Sequence, residues 1–324
     1  MEWGVQIHRA ITAADTSVLA AAGLNRVTVP LPWAWVERRK GQVDFAALDH
    51  FLEPLRTAGL PLQGVLGPGM RDRWPAWLHE AGGVDHPDYI QHFASHCALL
   101  ASRLTGIEVF RVEEDLNAAF WWEGLRTRKR RGRAWRSASF RRRLLLESCA
   151  AVRDARPDVE IRITLRPGIP GWEKELRRWL KAGLEFHCLG LTLSSSHVLP
   201  DPDLSEAVGE WVGEVGEVLA NSGASDRSIE IARIGYPTQP ERFTPKRQRE
   251  FLVGAARAAR EAGAVGFHWW SLRDQAHDDP MLGYWTPEAE RHMGLLYYDS
   301  TPKPAMDEYR VLATGDRFGG GAGR

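Results

Sequence analysis

Residues 109–117 read Val109-Phe110-Arg111-Val112-Glu113-Glu114-Asp115-Leu116-Asn117. After the turn at Gly106, Val109–Val112 has the pattern of a short buried strand, and it stops on three consecutive acids. Acids do not continue a buried strand, because a carboxylate removed from water without a partner is costly or shifts its pKa. Phe120, Trp121 and Trp122 follow, just before Glu123. Carboxylates at the C-terminal end of a strand, beside aromatic rings, suit sugar chemistry. A solvated acidic turn would read the same way in isolation, so the surrounding chain has to decide.

Outward from this stretch, strand-like and helix-like segments alternate. Strands are expected at residues 4–8, 26–31, 62–66, 107–112, 160–165, 186–193, 229–234 and 265–271. Helices are expected at 15–22, 45–58, 88–104, 139–155, 172–182, 205–220, 245–262 and 305–312. The helix over 88–104 puts Phe93, Cys97 and Leu100 on one face. Thr244 followed by Pro245 is a helix start, with an N-cap hydroxyl and proline in the first turn. Ala22-Gly23-Leu24, Ala58-Gly59-Leu60, Ala182-Gly183-Leu184 and Ala262-Gly263-Ala264 each close a helix just before a strand. Glycine ends a helix there in the left-handed conformation without a Cβ penalty. These αβ connections are short, whereas the βα connections at 67–87, 113–138, 235–244 and 272–304 are long. That asymmetry predicts an α/β fold, a single-domain (β/α)8 TIM barrel over 1–314, with its site at the C-terminal ends of the strands. A doubly wound open sheet is the runner-up, but no glycine-rich phosphate loop follows the first strand. The glycine-rich tail, 315–324, is expected to be disordered.

Composition narrows the function. The 324 residues are 44% hydrophobic and 26% charged, with 42 basic and 42 acidic side chains. That balance points to neither nucleic acid nor membrane. No signal-peptide pattern opens the chain and no apolar stretch approaches the ~18 residues of a membrane helix, so a cytoplasmic location is the expectation. Cys97, Cys149 and Cys188 are far apart and odd in number, which excludes a disulfide framework and gives no zinc spacing. No metal and no cofactor is expected.

Several segments together resemble the retaining (β/α)8 glycoside hydrolases of clan A, which include β-glucosidases, β-xylosidases and cellulase-like enzymes. Trp33, Trp35 and Glu37, then Gly41-Gln42-Val43-Asp44-Phe45, resemble the second-strand segment of that family. Pro75-Ala76-Trp77 resembles the motif after its third strand. Val112-Glu113-Glu114-Asp115-Leu116-Asn117 resembles the fourth-strand motif that carries the acid/base glutamate. Gly266-Phe267-His268-Trp269-Trp270-Ser271 resembles the eighth strand, which ends on a substrate-stacking tryptophan. His292-Met293-Gly294-Leu295-Leu296 and Pro302-Lys303-Pro304-Ala305 resemble the closing segment.

The resemblance implies a catalytic role for Glu114 as acid/base. Its family also implies a nucleophilic glutamate at the end of strand seven, where this chain reads Ile231-Ala232-Arg233-Ile234-Gly235-Tyr236. Arg233 stands in the nucleophile's place, and Glu113 stands where the family has asparagine. Retaining glycosidases need two carboxyls ~5–5.5 Å apart and inverting ones ~6.5–9.5 Å. Strand alternation points Glu230 away from the interior and Arg233 into the mouth, where Glu114 and Glu113 are its expected partners. Glu113 beside Glu114 offers a second carboxyl that could share a proton if both face the site. The expected substrate-binding residues are His8, Trp33, Arg71, Asp72, Arg166, His197, Tyr236 and Trp270. Asp274, Asp278 and Asp279 follow strand eight and could position water or simply cap the loop.

Residues 126–143 are strongly basic, with Arg126, Arg128, Lys129, Arg130, Arg131, Arg133, Arg136, Arg141, Arg142 and Arg143. Clustered arginine is commonly a solvated face, but it also binds phosphate and carboxylate bidentately. The expected partner is therefore a small carbohydrate or glycoside, with the arginines favouring an anionic one. The expected function is a glycosidase-like enzyme with a non-standard mechanism. The alternatives are a sugar-binding barrel that has lost hydrolysis and a biosynthetic enzyme using the barrel for other chemistry.

Overall fold

The computed structural model describes residues 1–7, 11–67, 74–119, 133–194, 204–239, 243–276 and 288–315. Eight parallel strands close in sequential order into one barrel. They are β1 (Glu2–Gln6), β2 (Arg26–Leu31), β3 (Leu62–Leu66), β4 (Val109–Val112), β5 (Glu160–Leu165), β6 (Cys188–Ser194), β7 (Ser228–Gly235) and β8 (Gly266–Trp270). The helices between them are α1 (Ala13–Ala21), α2 (Trp33–Val36), α3 (Ala46–Thr57), α4 (Ala76–Glu80), α5 (Tyr89–Arg103), α6 (Ala138–Ala155), α7 (Trp172–Lys181), α8 (Leu204–Ala220), α9 (Pro245–Glu261), α10 (Glu288–Arg291) and α11 (Pro304–Thr314). Among the described residues no helix is long and apolar enough to cross a membrane.

Local chemistry sets the ends of these elements as the sequence reading expects. Gly23, Gly59, Gly183 and Gly263 take φ of 66°, 64°, 78° and 87°, the left-handed values that stop a helix and turn the chain into the next strand. The Thr244 hydroxyl accepts the Arg247 N–H at 3.2 Å and caps α9, with Pro245 in the first turn. The α5 face carrying Phe93, Cys97 and Leu100 is buried against the barrel. At the seam, Gly4 of β1 pairs with His268 of β8, and the Tyr309 hydroxyl of α11 donates to the carbonyls of Gly4 and Phe267. One side chain of the last helix thus clamps the first strand to the last.

The space between strands and helices is apolar, but the inside of the barrel is not. Arg111 of β4 donates to Glu230 of β7 at 3.4 Å, straight across the lumen. Arg162 of β5 pairs with Glu2 of β1 at 2.7 Å, with Glu160 at 2.7 Å, and also with Glu230. His268 Nε2 lies 3.1 Å from Glu2 and 3.3 Å from Glu230. Arg111, Glu230 and His268 are fully buried, and Gln6, Thr28, Gln63, Thr164 and Thr192 are further buried polar residues on the barrel strands. Gly4 makes the room, since a Cβ there would run into the His268 imidazole. Burial alone pushes the Glu230 carboxyl up, but His268, Arg162 and Arg111 more than offset it and hold it down at about 2. The same competition, with His268 and Arg162 against burial, holds Glu2 far below the usual carboxylate range.

Glu230 therefore corrects the expectation from simple alternation. Both Glu230 and Arg233 face inward because β7 carries a bulge. Against β6, Gly190 pairs with Glu230 and Leu191 with Ile231, but Thr192 pairs with Arg233, which leaves Ala232 as the extra residue. Against β8 the register slips over the same residues. A bulge of this kind adds one residue without exchanging the faces beyond it.

Candidate active site

At the C-terminal end of β4 the three acids separate in direction. Glu113 and Asp115 both take left-handed backbone conformations, with φ of 59° and 53°. Such a conformation costs a non-glycine residue on the order of 1–2 kcal/mol, and it breaks the alternation that would aim neighbouring side chains predictably. Glu113 turns under α5. Gly67, at φ 113°, makes this possible, because a Cβ there would lie 2.8 Å from the Glu113 carboxyl carbon and 3.0 Å from Phe93. Burial, and then the charge of Glu113, push the Tyr89 hydroxyl and the Cys97 thiol of α5 well above their ordinary ranges. Glu113 is thus a buried acid facing α5, which corrects its expected place beside Glu114 in the mouth.

Asp115 pairs with Arg166 at 3.0 Å, and its backbone N–H donates to the Thr164 hydroxyl at 2.9 Å. Asn117 holds Arg166 by the backbone, donating to its carbonyl at 2.8 Å and accepting its N–H at 3.0 Å. Arg166 is consequently a buried residue at the end of β5, held through its side chain by Asp115 and through its backbone by Asn117. Glu114 is the partly exposed member of the acidic triplet, its side chain 17% exposed. Arg111 lies beneath it, Nη1 3.5 Å from Oε1. Arg111 therefore links the lumen charges to the carboxylate at the mouth.

At the ends of β7 and β8 the geometry departs from expectation again. Arg233 pairs with Glu290 of α10 at 3.4 Å, and its guanidinium carbon stands 3.5 Å from the centroid of the Trp270 ring. The expected pairing with Glu114 is corrected, since the ion pair of Glu114 is to Arg111. Glu290 is a residue that sequence reasoning missed. It lies 57 positions beyond Arg233 with no motif around it, so only the folded loop brings the two together. Trp270 is 1% exposed and carries the guanidinium on its face, so it does not offer the open stacking surface expected of it.

Two further aromatic residues are corrected by burial. Trp33 is 1% exposed, stacks on His96 at 4.8 Å and 13°, and donates from Nε1 to Glu37 at 2.8 Å. Burial holds His96 neutral, its pKa lowered to about 3. Tyr236 is fully buried, packed on Phe243 and Phe251. Both are packing residues because a mouth-end aromatic can turn under a helix as readily as toward a ligand. Asp274 ties the closing segment, accepting from Lys303 Nζ at 2.6 Å and from Gly294 N–H at 2.9 Å. Arg141 is likewise structural, since its fork takes Glu175 at 2.8 and 2.7 Å, and Arg143 pairs with Glu147 at 2.9 Å. Arg133 and Arg136 are exposed. His8, Arg71, Asp72, His197, Asp278, Asp279, the tail from 316 and the arginines of 126–131 lie outside the described residues.

No family model and no curated protein matches the sequence. Solved structures do match. GH5_18 from Streptomyces cattleya, in complex with GlcNAc, aligns over 100% of this chain and 82% of that one, with a TM-score of 0.79 at 16% identity. The chain shares its closed eight-stranded barrel fold with that glycoside hydrolase. A family 1 β-glucosidase from Thermotoga maritima aligns over 98% of this chain and 97% of that one, at TM-score 0.70 and 12% identity. The exo-β-1,4-mannosidase Op5Man5 from Opitutaceae bacterium strain TAV5 gives a TM-score of 0.71 at 15% identity, covering 98% of this chain and 59% of its own. Identity at this level speaks for the fold and leaves the chemistry to the residues.

Proposed function

We propose that this barrel binds and processes a glycoside, with Glu114 as the proton-transferring carboxyl and with no covalent glycosyl–enzyme step. The single observation that carries the reading is the sorting of the acids at the end of β4. Glu113 and Asp115 are buried and turned away or paired, while Glu114 stays partly exposed over Arg111. A general acid has to reach the leaving oxygen, and of the three only Glu114 keeps that access. Arginine keeps its proton at ordinary pH, so Arg233 cannot act as nucleophile or base. The likeness to barrels solved with GlcNAc and with Manb1-4GlcNAc supports a carbohydrate as the ligand class. The exposed Arg133 and Arg136 support an anionic group on that carbohydrate.

A second reading, sugar binding without turnover, is favoured by one contact. The guanidinium of Arg233 covers the Trp270 face on which a sugar ring would stack. Aryl glycosides of neutral and acidic sugars separate the two readings. Turnover that Glu114→Gln abolishes supports catalysis, and saturable binding with no turnover by wild type supports the second. Turnover indifferent to Glu114→Gln overturns the acid assignment.

A further inference from the structure

Outside the candidate active site, two groups of donor side chains among the described residues come close enough to share an ion. In Glu2, Glu230 and His268 that role is already filled, because the Arg162 guanidinium sits among the three and pairs with both carboxylates. Among the described residues, the other group has no such cation paired with it. His86 and Asp88 lie in the connection ahead of α5, and His92 lies in its first turn. Their nitrogen and oxygen donors lie within 4.8 Å of one another, and the two imidazole rings are 5.4 Å apart. We propose that His86, Asp88 and His92 form a zinc-type divalent metal site on the rim of the barrel mouth.

Three independent features support it. Asp88 is the N-cap residue of a fifteen-residue helix, a position where aspartate ordinarily accepts a backbone N–H, yet its carboxylate makes no capping hydrogen bond. It is left to serve the imidazoles, and its charge offsets the positive end of the helix dipole that would otherwise oppose a cation there. His92 Nε2 is buried with no hydrogen-bond partner, and the ring stands edge-on to Trp77 at 5.6 Å and 90°. Two imidazoles and one carboxylate are the donor set of an open zinc site, with a fourth position left to water. Donors ~2.0–2.2 Å from a tetrahedral ion stand roughly 3.3–3.6 Å apart, so donors within 4.8 Å of one another need close by no more than about 1 Å. The exposed Asp88 side chain can supply most of that movement.

Two neighbours tune the site. Asp88 N–H donates to His86 Nδ1 at 3.0 Å, so loading the ion makes His86 turn its ring or give up this bond. The exposed Lys40 ammonium lies 5.4 Å from the Trp77 ring that His92 meets edge-on, a positive charge that would oppose a cation nearby. Metal uptake therefore has a signature in the Asp88 amide and a built-in electrostatic opponent. The site is independent of any sugar chemistry in the mouth.

The test is calorimetric titration of the untagged, chelator-stripped chain with zinc chloride, with cobalt(II) absorption as a second readout. One equivalent should bind, and the Asp88 amide resonance should shift with loading. His86→Gln and His92→Gln should each cost more than the ~10–100-fold that loss of an outer partner costs a metal site. Lys40→Gln should bind zinc more tightly than wild type. Absence of stoichiometric binding overturns the proposal, as does equal binding by the His86→Gln/His92→Gln double variant. If a histidine variant fails to fold, Asp88→Asn decides, because Asp88 is exposed and makes no capping hydrogen bond, and unchanged zinc affinity there refutes the site.

Discussion

Glu230→Gln tests the lumen network most directly. The substitution keeps shape and removes charge from a fully buried carboxylate that faces Arg111, Arg162 and His268. Breaking a buried ion pair from one side costs about 3–5 kcal/mol, because the remaining cations stay buried. The lowered pKa expresses the same interactions in another form. A carboxyl held at about 2 in the fold and near 4.5 when unfolded stabilises the protein by on the order of 3 kcal/mol at neutral pH. Because the folded value is the lower one, that stability is present above pH ~4.5 and is lost as pH falls toward ~2. Near pH 3 roughly 1 kcal/mol should remain. Urea unfolding followed by tryptophan fluorescence, at pH 7 and again near pH 3, measures both quantities. Glu230→Gln should be the less stable protein at pH 7, and the gap to wild type should shrink in acid. A gap under about 1 kcal/mol at pH 7, or one that widens in acid, would refute the reasoning.

Glu114→Gln should leave the urea midpoint nearly unchanged and lower glycoside turnover by ~10²–10⁴-fold, read by initial rates. Lys303→Met strands Asp274 and unties Thr238 and the His292 carbonyl, so it should destabilise by about 3–5 kcal/mol in the same urea assay. Arg233→Glu sets a second carboxylate against Glu290 and should be destabilising, whereas Arg233→Glu with Glu290→Arg should recover much of the loss in thermal melts. Fluorosugar inactivators should leave the intact mass of the wild type unchanged, and a glycosyl adduct on it would contradict the assignment of Arg233.

The barrel was legible because its signals are local. Glycine at four helix ends, Thr244 before Pro245, and apolar strands of four to eight residues place most boundaries within two positions. The site was harder to read because side-chain direction depends on features that leave no local trace. Plain alternation could not foresee that Ala232 bulges, and so it misplaced Glu230. Nothing in Glu113-Glu114-Asp115 announces two left-handed residues around Glu114. Trp33 and Tyr236 have the composition of sugar platforms, yet only tertiary packing distinguishes a platform from a core ring. The partner of Arg233 comes from a loop after β8, beyond the reach of any motif.

The bulge in β7 also separates what the two ends of that strand can tolerate. If Ala232 were deleted, Glu230 and Arg233 would still fall on the same side of the strand, now two positions apart. Loss of this one residue would remove the bulge and leave Arg233 opposite Thr192, so neither half of the strand shifts or reverses. The ionic cluster at the floor is thus insulated from changes of length at the rim above it. The Arg233–Glu290 contact at the top of strand seven can be altered while the lumen ion pairs that tie the strands together stay in place.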